Sequence, residues 1–113
     1  MSSSSRHTIS EKQKSYLLVL AYIYLRNNQM EKAITIYKAL WHLFPENEGI
    51  AFCLSYLFLS TGQYDTALSY AEAYIGNKNN GMGFLLKGLS LHKLGRRYEA
   101  REAIRQYLNP IGA

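Results

Sequence analysis

A single cysteine, Cys53, is all the thiol the chain carries, so no internal disulfide framework can form. A reducing, cytosolic home is the resulting expectation. Long apolar runs are missing too. The two longest near-continuous ones, Leu17 to Leu25 and Ala51 to Leu59, are nine residues each, whereas a helix needs about 18 or more to span a bilayer. The serine-rich start, residues 1–5, has no apolar core of the kind a signal peptide needs, and Glu11, Lys12 and Lys14 put charge into the stretch after it. The three histidines, His7, His42 and His92, are scattered, without the i, i+4 spacing of a helical metal pair. Gly81-Met82-Gly83 has neither a preceding strand nor a following Lys-Ser/Thr, so no phosphate-cradling loop is expected. The sequence therefore offers no catalytic, cofactor-binding or metal-binding constellation, and an enzyme is the weakest reading. Cys53, inside an apolar run, reads as a small hydrophobe.

What remains is a chain of 113 residues that is 48% hydrophobic and 19% charged, neither disordered nor fibrous. That length fits one domain, with burial of roughly two thirds of its unfolded surface. Its charge of +5 is unevenly placed. Residues 1–77 are balanced. Residues 78–113 carry Lys78, Lys87, Lys93, Arg96, Arg97, Arg101 and Arg105 against only Glu99 and Glu102. A basic end attracts nucleic acid, acidic lipid or an acidic protein surface. Nucleic acid would want exposed aromatics interleaved with a larger basic field, so an acidic protein is the preferred partner for the stripe Arg97, Arg101, Arg105.

Internal repeats decide the fold. Leu17, Leu20, Ala21 and Tyr24, then Ala33, Tyr37 and Pro45, have a spacing that returns as Ala51, Leu54, Ser55 and Phe58, then Gly62, Ala67 and Ala71. It returns again as Phe84, Gly88 and Leu91, then Gly95, Ala100 and Ile104. Ala33, Ala67 and Ala100 recur at intervals of 34 and 33, and so do Asn28, Gly62 and Gly95. This spacing resembles that of tetratricopeptide units, each a pair of antiparallel helices that stacks on the next because it is too thin to bury its own apolar stripe. The expected fold is all-α: three tandem helix pairs in a short right-handed superhelix with a concave apolar groove. The expected repeats span about 14–47, 48–80 and 81–113, in a single domain from 10 to 113 behind a mobile tail at 1–9.

Six helices are predicted, over about 11–26, 30–43, 48–60, 64–75, 82–94 and 97–108. Ser10 caps the first, with Gln13 three residues on completing a capping box. Gly62 and Gly95, and Asn28 as next best, suit the left-handed residue that ends a helix. Small residues at Ala21 and Ala33, and at Gly88 and Ala100, allow close helix crossings. The polar stretch 77–81 reads as a loop. The third copy departs from the pattern: Lys87 stands where an apolar residue is usual, and Tyr98 falls one place later than Tyr64 does.

In such a stack the first helix of each pair lines the inner surface. The residues placed there are Ser15, Leu18, Tyr22 and Leu25, then Gly49, Phe52, Tyr56 and Leu59, then Met82, Leu85, Leu89 and His92. Nine of the twelve are apolar or aromatic. A patch that large exceeds the ~300–600 Å² of a typical soluble monomer, and it needs a covering: an amphipathic segment of a partner, or a second copy of the chain. Leu18 and Tyr22 occupy places where a clamp for an acidic C-terminus would need Lys and Asn, so a carboxylate clamp is rejected. Of the ten tyrosines, Tyr24, Tyr37, Tyr64 and Tyr74 fall at packing positions. Tyr22 and Tyr56 face the groove, where an apolar body with a polar tip suits an interface.

A short chain of three such repeats with an apolar inner face resembles the tetratricopeptide chaperones of bacterial type III secretion, and most of all the YscY family. The similarity covers about residues 8–108. It begins at Thr8-Ile9-Ser10-Glu11-Lys12-Gln13, continues through Ala33 and Phe44-Pro45-Glu46, and reaches Arg101 and Gln106-Tyr107-Leu108. The resemblance implies a cytosolic holding chaperone that keeps a small exported partner, like YscX, soluble and presents it to the export gate at the inner membrane. Leu18, Tyr22, Leu25, Phe52, Tyr56, Leu59, Met82, Leu85 and Leu89 would grip an amphipathic segment of that partner, with His92 beside them. The other readings are a chaperone of the needle subunit or of a translocator, and a scaffolding repeat domain that self-associates through its groove.

Overall fold

Helix boundaries in this chain are set by chemistry at each end. The computed structural model describes residues 10–76 and 81–109, and within them the helices are α1 (Glu11–Arg26), α2 (Met30–Leu43), α3 (Glu48–Ser60), α4 (Tyr64–Ile75), α5 (Gly81–Lys93) and α6 (Arg97–Leu108). Among the described residues there is no strand. Five of the six helices match the predicted bounds; α5 begins and ends one residue earlier than expected. The expected tail at 1–9 and most of the expected loop, 77–80, lie outside the described residues.

The N-terminus of α1 is closed by the capping box. The Gln13 amide donates to Ser10 Oγ at 3.2 Å, and the Ser10 amide donates to Gln13 Oε1 at 2.8 Å. Two of the donors that a helix start leaves unpaired are thereby satisfied.

Each helix pair turns through the same device. Asn28, Gly62 and Gly95 have φ of 60°, 85° and 82°, a left-handed conformation that is open to glycine and tolerated by asparagine. In all three turns the next residue donates its amide back across the helix end. Gln29 reaches the Tyr24 carbonyl at 2.8 Å, Gln63 reaches Phe58 at 2.9 Å, and Arg96 reaches Leu91 at 3.0 Å. That bond closes the helix end and starts the next helix one residue later.

The chain divides into two compact units at Asn47/Glu48. In residues 10–47, α1 packs on α2, with Ala21, Ala33, Ile34, Tyr37 and Leu40 buried. In residues 48–109, α3 packs on α4, α4 on α5 and α5 on α6, while α3 also touches α5. Here the core is Ile50, Ala51, Leu54, Leu57, Phe58, Ala67, Leu68, Ala71, Leu86, Leu91, Ala100 and Ala103. The Phe58 and Tyr70 rings stack with centroids 5.7 Å apart.

The small residues at the crossings are required by space. A Cβ on Gly88 would stand 2.5 Å from Ile104 Cδ1 and 3.4 Å from the Ala100 carbonyl oxygen. Ser55 holds the matching place in the preceding pair, and its hydroxyl donates to the Ala67 carbonyl at 2.8 Å. Both departures in the third copy have a local cause. Lys87 reaches back to Glu72 at 3.6 Å. Tyr98 is 70% exposed, because the register of Tyr64 is taken by Arg97.

Candidate functional site

The first helix of each pair carries a stripe at i, i+3/i+4 and i+7 that stays outside the core. On α1 it is Leu18, Tyr22 and Leu25; on α3 it is Phe52, Tyr56 and Leu59; on α5 it is Met82, Leu85, Leu89 and His92. None of these ten side chains is buried: Tyr22, Tyr56, Met82, Leu89 and His92 are exposed and the other five are half-buried.

Some of them have work inside the molecule. The Phe52 ring lies 5.3 Å from that of Tyr74 on α4, tilted by 54°. The Tyr22 hydroxyl accepts a hydrogen bond from Arg26 Nη1 at 2.9 Å, and the guanidinium also lies over its ring at 5.8 Å. Tyr22 therefore presents an apolar ring with its polar tip already engaged. Gly49 and Ser15, the polar or featureless members of the predicted face, are exposed as well.

A second feature lies in the last helix pair. A cavity of about 650 Å³ opens between α5 and α6. Gly88, Leu89, Ala100, Ile104 and Leu108 supply its apolar lining, and His92, Arg97, Arg101 and Arg105 supply its polar one. The i, i+4, i+8 spacing of the three arginines on α6 puts them along one edge. The structure thus brings the predicted basic stripe together with two members of the predicted groove, Leu89 and His92. Spacing along one helix could not show this, because the two sets sit on different helices and meet only once the hairpin closes.

Arg96 does not join that edge. It grips Glu99 with two hydrogen bonds, at 2.7 and 2.8 Å. Those bonds hold the Glu99 carboxyl below its ordinary range and raise Arg96 further. Arg105 pairs with Glu102 at 3.1 Å. Arg97 and Arg101 form no ion pair among the described residues.

One exposed stripe was missed by the reading of the sequence. Tyr16, Val19, Leu20 and Ile23 on α1 are 69%, 56%, 39% and 46% exposed. The signal was present: Leu17 to Leu25 is apolar all round, more than one buried face requires.

Among the described residues no group of His, Cys, Asp and Glu is placed to hold a metal, and no helix is long and apolar enough to cross a membrane. Cys53 is half-buried.

Antiparallel helix pairs, closed by the same left-handed turn and crossing at small residues, define a helical-hairpin repeat protein, a class whose stacked units create extended binding surfaces. The chain belongs to the tetratricopeptide repeat family, which matches residues 18–81 and so takes in the first two copies. The third copy is assigned by its spacing and its turn. Repeats of this family mediate protein–protein interaction and are typically non-catalytic. No curated protein matches the chain.

Proposed function

We propose that this tetratricopeptide protein is a cytosolic chaperone of a bacterial type III secretion system, which binds a small exported partner similar to YscX and helps deliver it to the inner-membrane export gate. The observation that supports a holding role is the openness of the inner-face stripes. Nine apolar or aromatic side chains, with His92, lie outside the core on the first helix of every pair. An amphipathic helix of a partner, with anchors at i, i+3/i+4 and i+7, matches such stripes. The secretion context is supported by the resemblance of residues 8–108 to the YscY family. Burial of apolar surface at about 25 cal/mol per Å² is the driving force, and no chemical step is needed.

The test is co-purification of the tagged chain from its native cells, followed by mass spectrometry and light scattering. A single small stoichiometric partner from a secretion apparatus is the expected result, and its identity separates a YscX-like client from a needle subunit or a translocator. Tyr22→Glu and Leu59→Glu should abolish its capture while the helical circular dichroism stays intact. Unchanged capture would remove the inner face from the mechanism. A pure homodimer, or a mixture of large partners, would favour the second reading, a self-associating scaffold. That reading draws on the exposed stripe Tyr16, Val19, Leu20 and Ile23.

A further inference from the structure

The cavity between α5 and α6 has a counterpart one repeat earlier, and there the occupant is visible. Thirty-three residues back, Leu108, Arg105, Arg101 and Arg97 become Ile75, Glu72, Leu68 and Tyr64 on α4. That face of α4 receives α5. Gly83 sits on Ile75, so closely that a Cβ there would stand 2.5 Å from Ile75 Cγ1. One turn on, Lys87 pairs with Glu72 at 3.6 Å. One turn further, Leu91 shares a buried cluster with Leu68. The stacking face therefore reads a helix lying antiparallel to α4 as a small residue, then a cation, then an apolar residue, at intervals of four.

On α6 the same three places are Leu108, Arg105 and Arg101. The small-residue seat stays apolar, the acid that chose Lys87 has become a base, and the apolar seat has become a second base. We infer that the α5–α6 face docks an acidic amphipathic helix of a partner protein, one with a small residue over Leu108 and acidic residues four and eight positions later, facing Arg105 and Arg101. The 650 Å³ hollow, floored by Gly88, Ala100 and Ile104, is the space its apolar edge fills. Arg97 and Arg101, without ion pairs among the described residues, supply charge that is not already spent.

A second copy of this chain is the poorer occupant. Its unpartnered helix face is on α1, where Tyr16 stands in the register of Gly83 and Leu20 in that of Lys87. A tyrosine does not fit the small-residue seat. In that register Leu20 would face Arg105 and Tyr24 would face Arg101, so neither arginine would meet an acid. The inference does not rest on the secretion reading, although Leu89 and His92 belong both to this cavity and to the α5 stripe of the proposed groove.

The probe is a capped synthetic peptide with the sequence of residues 81–95 carrying Lys87→Glu and Leu91→Glu, titrated into the full chain by fluorescence anisotropy. Its basic counterpart keeps Lys87 and carries Leu91→Lys. The acidic peptide should bind at least about tenfold more tightly than the basic one, and the preference should fade as salt is raised. Arg101→Glu in the chain, an exposed substitution, should weaken the acidic peptide by about tenfold or more and raise the basic one. Replacing the peptide's Gly83 by Trp should abolish binding. Equal binding of the two peptides, no saturation by the acidic one up to about 1 mM, or indifference to Arg101→Glu in a chain of unchanged helicity would overturn the proposal. So would sedimentation showing that the free chain self-associates through an Arg101-dependent contact, which would assign the face to a second copy.

Discussion

α1 and α5 occupy the same place in their repeats, yet the one with the longer unbroken apolar run is the more exposed. α1 carries the unbroken run Leu17 to Leu25 and buries only Ala21. α5 contains Gly81, Gly83, Gly88 and Lys87, and it buries Gly83, Leu86, Gly88, Ser90 and Leu91. The difference lies in neighbours. α5 is packed between α4 and α6, so two of its faces are dry, and small residues there let both neighbours come close. α1 has α2 on one side, and Tyr16 and Leu20, in the register of the Gly83 and Lys87 that meet α4, are exposed. Burial here follows the number of packed neighbours, and the length of an apolar run does not report it.

The comparison can be broken most forcefully at Leu91, which is 2% exposed. Leu91→Ala should cost about 2–5 kcal/mol of unfolding free energy in urea. Ile23→Ala on α1, 46% exposed, should cost under about 1 kcal/mol; similar losses at the two sites would erase the distinction. Gly88→Val drives a branched side chain into Ile104 and should cost about 1–3 kcal/mol. Adding Ile104→Ala should restore part of that loss, since both changes act on one contact. A helix with little burial leans on its ends, so Ser10→Ala should cost about 1 kcal/mol and show as faster hydrogen exchange in the first turn of α1.

Ser90 has the opposite sign. Its hydroxyl is buried with no hydrogen-bond partner among the described residues, whereas Leu57 holds the same register one repeat earlier. Ser90→Ala should therefore raise stability, by up to about 1 kcal/mol; a loss would reveal a partner for that hydroxyl. The smallest effect belongs to Glu99. Its folded pKa is lowered by the Arg96 hydrogen bonds, so its contribution is complete above the ordinary carboxylate range and disappears as pH falls through the lowered value. Both side chains are exposed, at 46% and 53%, and screened by water. The checking measurement is a carboxyl titration by NMR, in which Arg96→Ala should bring Glu99 back up.

Much of this was legible in residue spacing. Ala33, Ala67 and Ala100 mark the crossings, and Asn28, Gly62 and Gly95 mark the turns, because each demand is met by very few residue types. The capping box at Ser10 and Gln13 was legible for the same reason. The basic cavity was legible only in halves: the arginines form one stripe on α6, and Leu89 and His92 belong to another on α5. Arg96, which the spacing of four leaves out of the stripe, has its charge taken up by Glu99, and only the reach of its side chain shows that.

The sequence by itself determined the helices, their turns and the small residues at their crossings, since these answer to local sterics and to backbone hydrogen bonding within a few positions. The tertiary structure decided which apolar stripes are dry, which charges are already paired, and that Glu72 of α4 meets Lys87 of the following helix. Those outcomes depend on which helices come to lie side by side, and a contact between two helices is a property of neither one alone.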